Sequence, residues 1–132
     1  MEKKVGCIGC GVMGGALMSA VCKIEHTEVH ISDVDLSKAE QFAAANKAIA
    51  EKNNKNVLQN SEYVFLAVKP NYLASVLDEI CAVLPKEELS SKVFVSIAAG
   101  IRISTIEEKL GKDAKIIRVM PNTPAIVSEG MI

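Results

Sequence analysis

The sequence predicts an α/β domain of the doubly wound kind, a mostly parallel sheet with helices on both faces. Short β-rich runs alternate with stretches of helical period along the 132 residues. The runs are nearly continuous in apolar residues, as strands covered on both faces require. The first run ends in a glycine-rich turn from which the first helical stretch departs.

Strands are expected at residues 4–9, 28–32, 63–68, 93–97 and 115–119, with a weaker one at 48–50. A glycine-opened helix is expected over 12–22. Another is expected over 36–45, with Asp35 and Ser37 as capping candidates. Leu73, Val76, Leu77, Ile80 and Val83 recur at i, i+3, i+4, i+7 and i+10, one apolar stripe along a helix limited by Pro70 and Pro85. A shorter helix is expected at Ile103–Leu110, closed by Gly111. The polar patch from Glu51 to Asn56 has the composition of a loop. With no internal repeat and no long linker, residues 1–132 are expected to form one domain.

Composition narrows the class. Apolar residues make up 49% and charged residues 23%, an ordinary globular balance. The net charge is -1 and Lys and Arg are scattered, which argues against a surface that tracks nucleic acid. No apolar run nears the ~20 residues that span a bilayer. Met1-Glu2-Lys3-Lys4 leads straight into a short glycine-broken run, unlike a secretory signal. Neither a nucleic-acid nor a membrane partner is expected, and a cytoplasmic location is. Cys7, Cys10, Cys22 and Cys81 suit a reducing compartment as small buried thiols.

One spacing competes with this reading. Cys7-x2-Cys10, followed after fifteen residues by His26-x3-His30, fits a zinc-finger pattern. A finger needs its cysteines on a polar knuckle, whereas these flank Ile8-Gly9 where a strand enters a turn. His30 stands between Val29 and Ile31, where a half-buried imidazole is expected. No metal ligand is assigned.

The central signal is Gly9-Cys10-Gly11-Val12-Met13-Gly14 between the first strand and the first helix. Each glycine has a mechanical task in a Rossmann-type turn. Gly9 permits the tight turn, Gly11 lets backbone approach a pyrophosphate, and Gly14 lets the helix lie close on the sheet. The helix N-terminus then offers N–H groups to the phosphates. Nineteen residues past Gly14, Asp33 ends the second strand, where a carboxylate accepts hydrogen bonds from ribose hydroxyls. It also repels a 2′-phosphate, so the cofactor, NADPH or NADH, leans towards NADH. Lys38 one turn along offsets part of that repulsion, and Asp33 could equally cap the next helix.

The chain resembles the pyrroline-5-carboxylate reductase family along its whole length. Five segments carry the resemblance: Ile8-Gly9-Cys10-Gly11-Val12-Met13-Gly14, Phe65-Leu66-Ala67-Val68-Lys69-Pro70, Val95-Ser96-Ile97-Ala98-Ala99-Gly100-Ile101, Ile117-Arg118-Val119-Met120-Pro121-Asn122-Thr123-Pro124, and Glu129-Gly130-Met131. The resemblance implies that Ala67, Val68, Lys69 and Pro70 line the cofactor and that Asn54 contacts its adenosine part. It also implies that Ile97, Ala98 and Ala99 bring backbone and small side chains to the nicotinamide. Met120-Pro121-Asn122 would floor the pocket beside the reacting ring. The family often has Ser or Thr where this chain has Asp33, a departure that bears on its usual NADPH preference.

The same resemblance implies reduction of the small-molecule imine 1-pyrroline-5-carboxylate to L-proline with NAD(P)H, the last step of proline biosynthesis. It also implies a second, helical half, absent from this chain, that dimerises and completes the substrate site, so the intact protein is expected to be a homo-oligomer built on dimers. No general acid in the present residues is assigned as catalytic. The ending after Met131-Ile132 fits a piece of a longer protein or a frayed edge strand begun at 125–127. Two other functions fit the motifs: a different Rossmann dehydrogenase, acting on a hydroxy acid or another imine, and a non-catalytic dinucleotide-binding module.

Overall fold

The computed structural model describes residues 3–97, 102–111 and 113–119. Strand β1 (Lys3–Ile8) pairs in parallel with β2 (Thr27–Ser32) on one side and β4 (Tyr63–Leu66) on the other. Outside these lie β3 (Ile49–Ala50), β5 (Val93–Ser96) and β6 (Lys115–Arg118), giving the parallel order β3-β2-β1-β4-β5-β6. The chain builds outward from β1 to β3, then returns to β4 beside β1 and builds the other way. That reversal opens a crevice at the carboxyl ends of β1 and β4.

Side chains alternate across the sheet, so each strand feeds two cores. On one face Val5 and Cys7 of β1 and Val29 and Ile31 of β2 pack with Met18 of α1 (Val12–Val21) and Ala39 of α2 (Leu36–Asn46). On the other, Ile8, Val64, Leu66 and Phe94 meet α3 (Asn54–Gln59), α4 (Pro70–Val83) and α6 (Ile103–Leu110). Leu73, Leu77 and Ile80 of α4 are essentially dry, each contributing about 1.5–3 kcal/mol of apolar burial. Both faces are covered, which accounts for the continuous apolar runs.

Local signals place most boundaries. Asp35 caps α2, its carboxylate accepting from the Ser37 N–H at 3.1 Å. Pro70 is the first residue of α4, where its missing N–H costs nothing. Gly111 closes α6 with φ 108°. The runs at 63–68 and 93–97 extend past the paired strands, because Ala67, Val68 and Ile97 already belong to the turns at the crevice.

Two expectations need correction. The polar patch from Glu51 to Asn56 is not a loop throughout: Asn53 caps α3, accepting from the Asn56 N–H at 2.9 Å. Val57 and Leu58 are fully buried beneath it, so tertiary burial overrides a composition that favours a turn. His30 is buried rather than half-buried, at 6% exposure, with Glu28 Oε2 at 2.7 Å from Nε2 and Glu51 Oε2 at 2.6 Å from Nδ1. Burial is tolerated because both ring nitrogens have partners. Cys7 faces the α1–α2 core while His30 projects from the opposite face of the sheet, so the finger-like spacing does not bring its residues together. A short helix not foreseen, α5 (Lys86–Ser90), follows Pro85 and buries Leu89. The run at 125–127 lies outside the described residues.

Candidate functional site

The first turn carries the geometry of the site. Gly9 has φ 107°, and a Cβ there would meet the Ala67 carbonyl oxygen at 2.8 Å. Only glycine takes that backbone shape at that distance without strain. Its N–H donates to the Ser32 carbonyl at 2.8 Å, tying the turn to the end of β2. Gly14 presses α1 onto the sheet, where an added Cβ would lie 2.7 Å from Ala67 Cβ. Gly11 differs: a Cβ there would meet no described residue within 4 Å. It stands at the N-cap of α1 with no side-chain cap and lines the cleft, so the partial positive end of the helix lies beside it.

Asp33 braces this turn. Its Oδ2 accepts from the Cys10 N–H at 2.7 Å and its Oδ1 from the Asp35 N–H at 2.9 Å. Asp33 does not cap α2, whose N-cap is Asp35; its carboxylate holds the two turns instead, and each oxygen keeps a lone pair for a ligand. Burial pushes the Cys10 thiol above its ordinary value, Asp33 adds to the effect, and Lys38 opposes it. Burial drives Cys7 upward much further, which leaves it an inert core thiol.

Around the turn lies a cleft of about 440 Å³, within the range of small-ligand pockets. Ile8, Gly9, Cys10 and Gly11 form its floor; Asp33 and Asn54 stand on one side, and Ala67, Val68 and Lys69 on the other. Nine of the residues singled out from the sequence therefore converge. Gly14 shapes the wall through Ala67 without lining it. Pro70 starts α4 outside the lining, and Ile97 is buried at the end of β5 outside it as well. Val12 and Met13 occupy the first turn of α1. Ala98, Ala99 and Asn122 lie outside the described residues.

Sequence reasoning missed one wall. Tyr72, Ser75, Val76 and Glu79 of α4 face the cleft at i, i+3, i+4 and i+7. They form the stripe next to the buried Leu73, Leu77 and Ile80. Since Lys69-Pro70 starts this helix at the rim, Tyr72, Ser75 and Glu79 beside the apolar stripe, whose member Val76 reaches both core and cleft, were the signal available. Val34 and Lys38 also line the cleft, so its rim mixes the carboxylates of Asp33 and Glu79 with the ammonium groups of Lys38 and Lys69. Among the described residues no group of three or more His, Cys, Asp and Glu is placed to hold a metal, and no helix is long and apolar enough to cross a membrane.

Residues 4–100 match the family model described as NADP oxidoreductase, coenzyme F420-dependent. The chain belongs to this family. The chain is 39% identical over 134 residues to the pyrroline-5-carboxylate reductase of Escherichia coli (strain K12), an alignment covering 99% of this chain and 48% of that protein. Among solved structures, a pyrroline-5-carboxylate reductase from Coxiella burnetii aligns with TM-score 0.78 and 28% identity, over 96% of this chain and 47% of that one. The Plasmodium falciparum pyrroline carboxylate reductase, solved with NADP bound, aligns with TM-score 0.74 and 31% identity, over 96% and 45%. The chain spans about half the length of the curated relatives it matches.

Proposed function

We propose that this chain is the dinucleotide-binding half of an NAD(P)H-dependent enzyme that reduces 1-pyrroline-5-carboxylate to L-proline. The observation that carries the reading is Gly11: the described residues fill the space beside Gly9 and Gly14 but place nothing within 4 Å of a Cβ at Gly11, at a helix N-terminus with no side-chain cap. A pyrophosphate suits that position by charge and by hydrogen-bonding capacity. The similarity to pyrroline-5-carboxylate reductases supports the substrate.

The residues have separable tasks in this reading. Gly11 and the first turn of α1 receive the pyrophosphate, while Asp33 accepts from the adenosine ribose hydroxyls. Asn54 addresses the adenosine, and Ala67, Val68 and Lys69 form the wall along which the dinucleotide lies. The resemblance, rather than described geometry, supports Ile97, Ala98, Ala99 and Asn122 on the nicotinamide side. A bound nicotinamide supplies the hydride taken up by the imine carbon, and the protein contributes position and field. Asp33 at the ribose end favours NADH at least equally with NADPH, Lys38 offsetting part of the repulsion.

The relatives are about twice as long, and we assign the substrate walls and a dimer interface to a second half beyond this domain. The burial of Cys7 as a small core thiol suits a reducing cytoplasm. Hydride transfer needs the acceptor held in near-attack geometry, which can account for ~7–11 kcal/mol of the barrier. The 132-residue chain should therefore bind NADH or NADPH in calorimetry yet give no measurable imine reduction, while a chain of the relatives' length carrying this domain turns over. Turnover by the 132-residue chain alone would place the whole substrate site inside this domain and overturn the division of labour.

A further inference from the structure

The cleft contains a short relay of side chains with a defined polarity. Ser32, the last residue of β2 and nearly fully buried, donates its hydroxyl to Asn54 Oδ1 at 2.6 Å. Asn54, the first residue of α3, donates from Nδ2 to Glu79 Oε1 on α4 at 3.0 Å. Asn54 and Glu79 both line the cleft.

An asparagine amide has a donor end and an acceptor end of nearly equal shape, so its neighbours decide which way it points. A hydroxyl donates or accepts, and Ser32 tolerates either orientation. An ionised carboxylate only accepts. With the amide turned over, Asn54 Oδ1 would face Glu79 Oε1, two acceptors with no proton between them. Glu79 is thus the member of the relay that dictates the orientation, and the Ser32 hydroxyl follows it by donating.

We propose that Glu79 is a positioning residue for the nucleoside end of the dinucleotide, acting through Asn54. The relay uses one N–H and one oxygen lone pair of the amide and leaves one of each. Glu79 turns those remaining groups into a donor and an acceptor of fixed position for the ligand. The assignment rests on the dinucleotide reading of the cleft and adds to it a residue on the α4 wall. It runs against simple electrostatics, since a carboxylate beside an anionic ligand repels it.

That opposition supplies the experiment. Glu79→Gln and Glu79→Ala both remove the charge, but only glutamine keeps an acceptor for Asn54 Nδ2. Calorimetric titration of the 132-residue chain with NADH and with ADP-ribose should find Glu79→Ala about fivefold weaker than Glu79→Gln for both ligands, the order of one net hydrogen bond. In an Asn54→Ala background that difference should vanish, an outcome that a merely structural role for Glu79 would not produce. Thermal melting of the same proteins checks that they are folded. Equal affinities for the two variants, or a difference that survives in Asn54→Ala, would overturn the proposal and leave the dinucleotide reading standing. A wild-type chain that binds neither ligand would overturn both.

Discussion

The Cys10 N–H and Asp33 Oδ2 lie 2.7 Å apart, and this bond ties the end of β2 to the glycine turn at the heart of the cleft. Asp33 therefore has a structural task besides any recognition of ribose, and a substitution must separate the two. Asp33→Asn keeps an acceptor for the Cys10 N–H and removes the charge. We expect it to fold normally and to shift the ratio of NADPH to NADH affinity towards NADPH by about 1–2 kcal/mol. Asp33→Ser should lose the brace as well, at a cost of about 1 kcal/mol in stability. Calorimetry with both cofactors and a denaturant melt of each variant check this. An unchanged ratio in Asp33→Asn would reduce Asp33 to a brace alone.

Gly11 and Gly14 should fail in opposite ways. Gly11 has a φ of -81° that any residue adopts, and no described residue within 4 Å of a Cβ there, so Gly11→Val should cost no more than about 1 kcal/mol of stability at an N-cap. Dinucleotide binding should be abolished, because the branched side chain fills the place of the pyrophosphate. Undiminished binding would remove the phosphate assignment.

For Gly14→Ala the new Cβ would lie 2.7 Å from Ala67 Cβ, so α1 must lift or the β4 turn must yield. Overpacking of this kind costs about 1–3 kcal/mol. Adding Ala67→Gly should recover most of that loss, and a double-mutant cycle in urea measures the coupling. Additive effects would show that the strain is released elsewhere.

Acid should weaken the His30 cluster through Glu28. The hydrogen bond from His30 holds the Glu28 carboxyl below the usual carboxylate range, against slight desolvation. A carboxyl more acidic in the folded than in the unfolded chain stabilises the fold above its unfolded pKa, and that stabilisation is lost as pH falls through the folded value. Glu28 is 31% exposed, so the effect at pH 7 should be only about 0.5 kcal/mol. Glu28→Gln should therefore melt slightly lower than wild type at neutral pH, and the gap should close as pH falls through and below the ordinary carboxylate range. A gap constant across that range would exclude Glu28 from the acid response.

Cys10 gives a chemical footprint of the cleft. Its thiol is raised by burial and by Asp33, so at neutral pH its thiolate fraction is below that of an ordinary cysteine. Iodoacetamide should label Cys10 slowly, faster as pH rises, and more slowly still under saturating NADH. Labelling of Cys81, exposed on α4, should not respond to the cofactor. Peptide mass spectrometry follows both; a Cys10 rate indifferent to NADH would place the dinucleotide elsewhere.

Sequence alone settled what depends on near neighbours. Strand runs, the α4 stripe of Leu73, Leu77 and Ile80, the Asp35 cap and the glycine turn are all written in patterns a few residues long. Such patterns follow from the periods of strand and helix and from the φ that glycine permits. Even there α3 escaped, since Asn53 through Asn56 have turn-like composition and only the burial of Val57 and Leu58 beneath them selects a helix.

What the tertiary structure alone decided lies between residues far apart in the chain. Asp33 reaches Cys10 across 23 positions, Ser32 reaches Asn54 across 22, and Asn54 reaches Glu79 across 25. Each of these side chains sits at a strand end or in the turn or helix that follows, so only the parallel packing of β1, β2 and β4 brings them to one crevice. A hydrogen bond is shorter than about 3.5 Å and directional, and no local pattern encodes which distant partner will stand within that reach. The cleft as a class of site was legible in the glycines. The polarity of its walls was set only when the sheet and its helices came together.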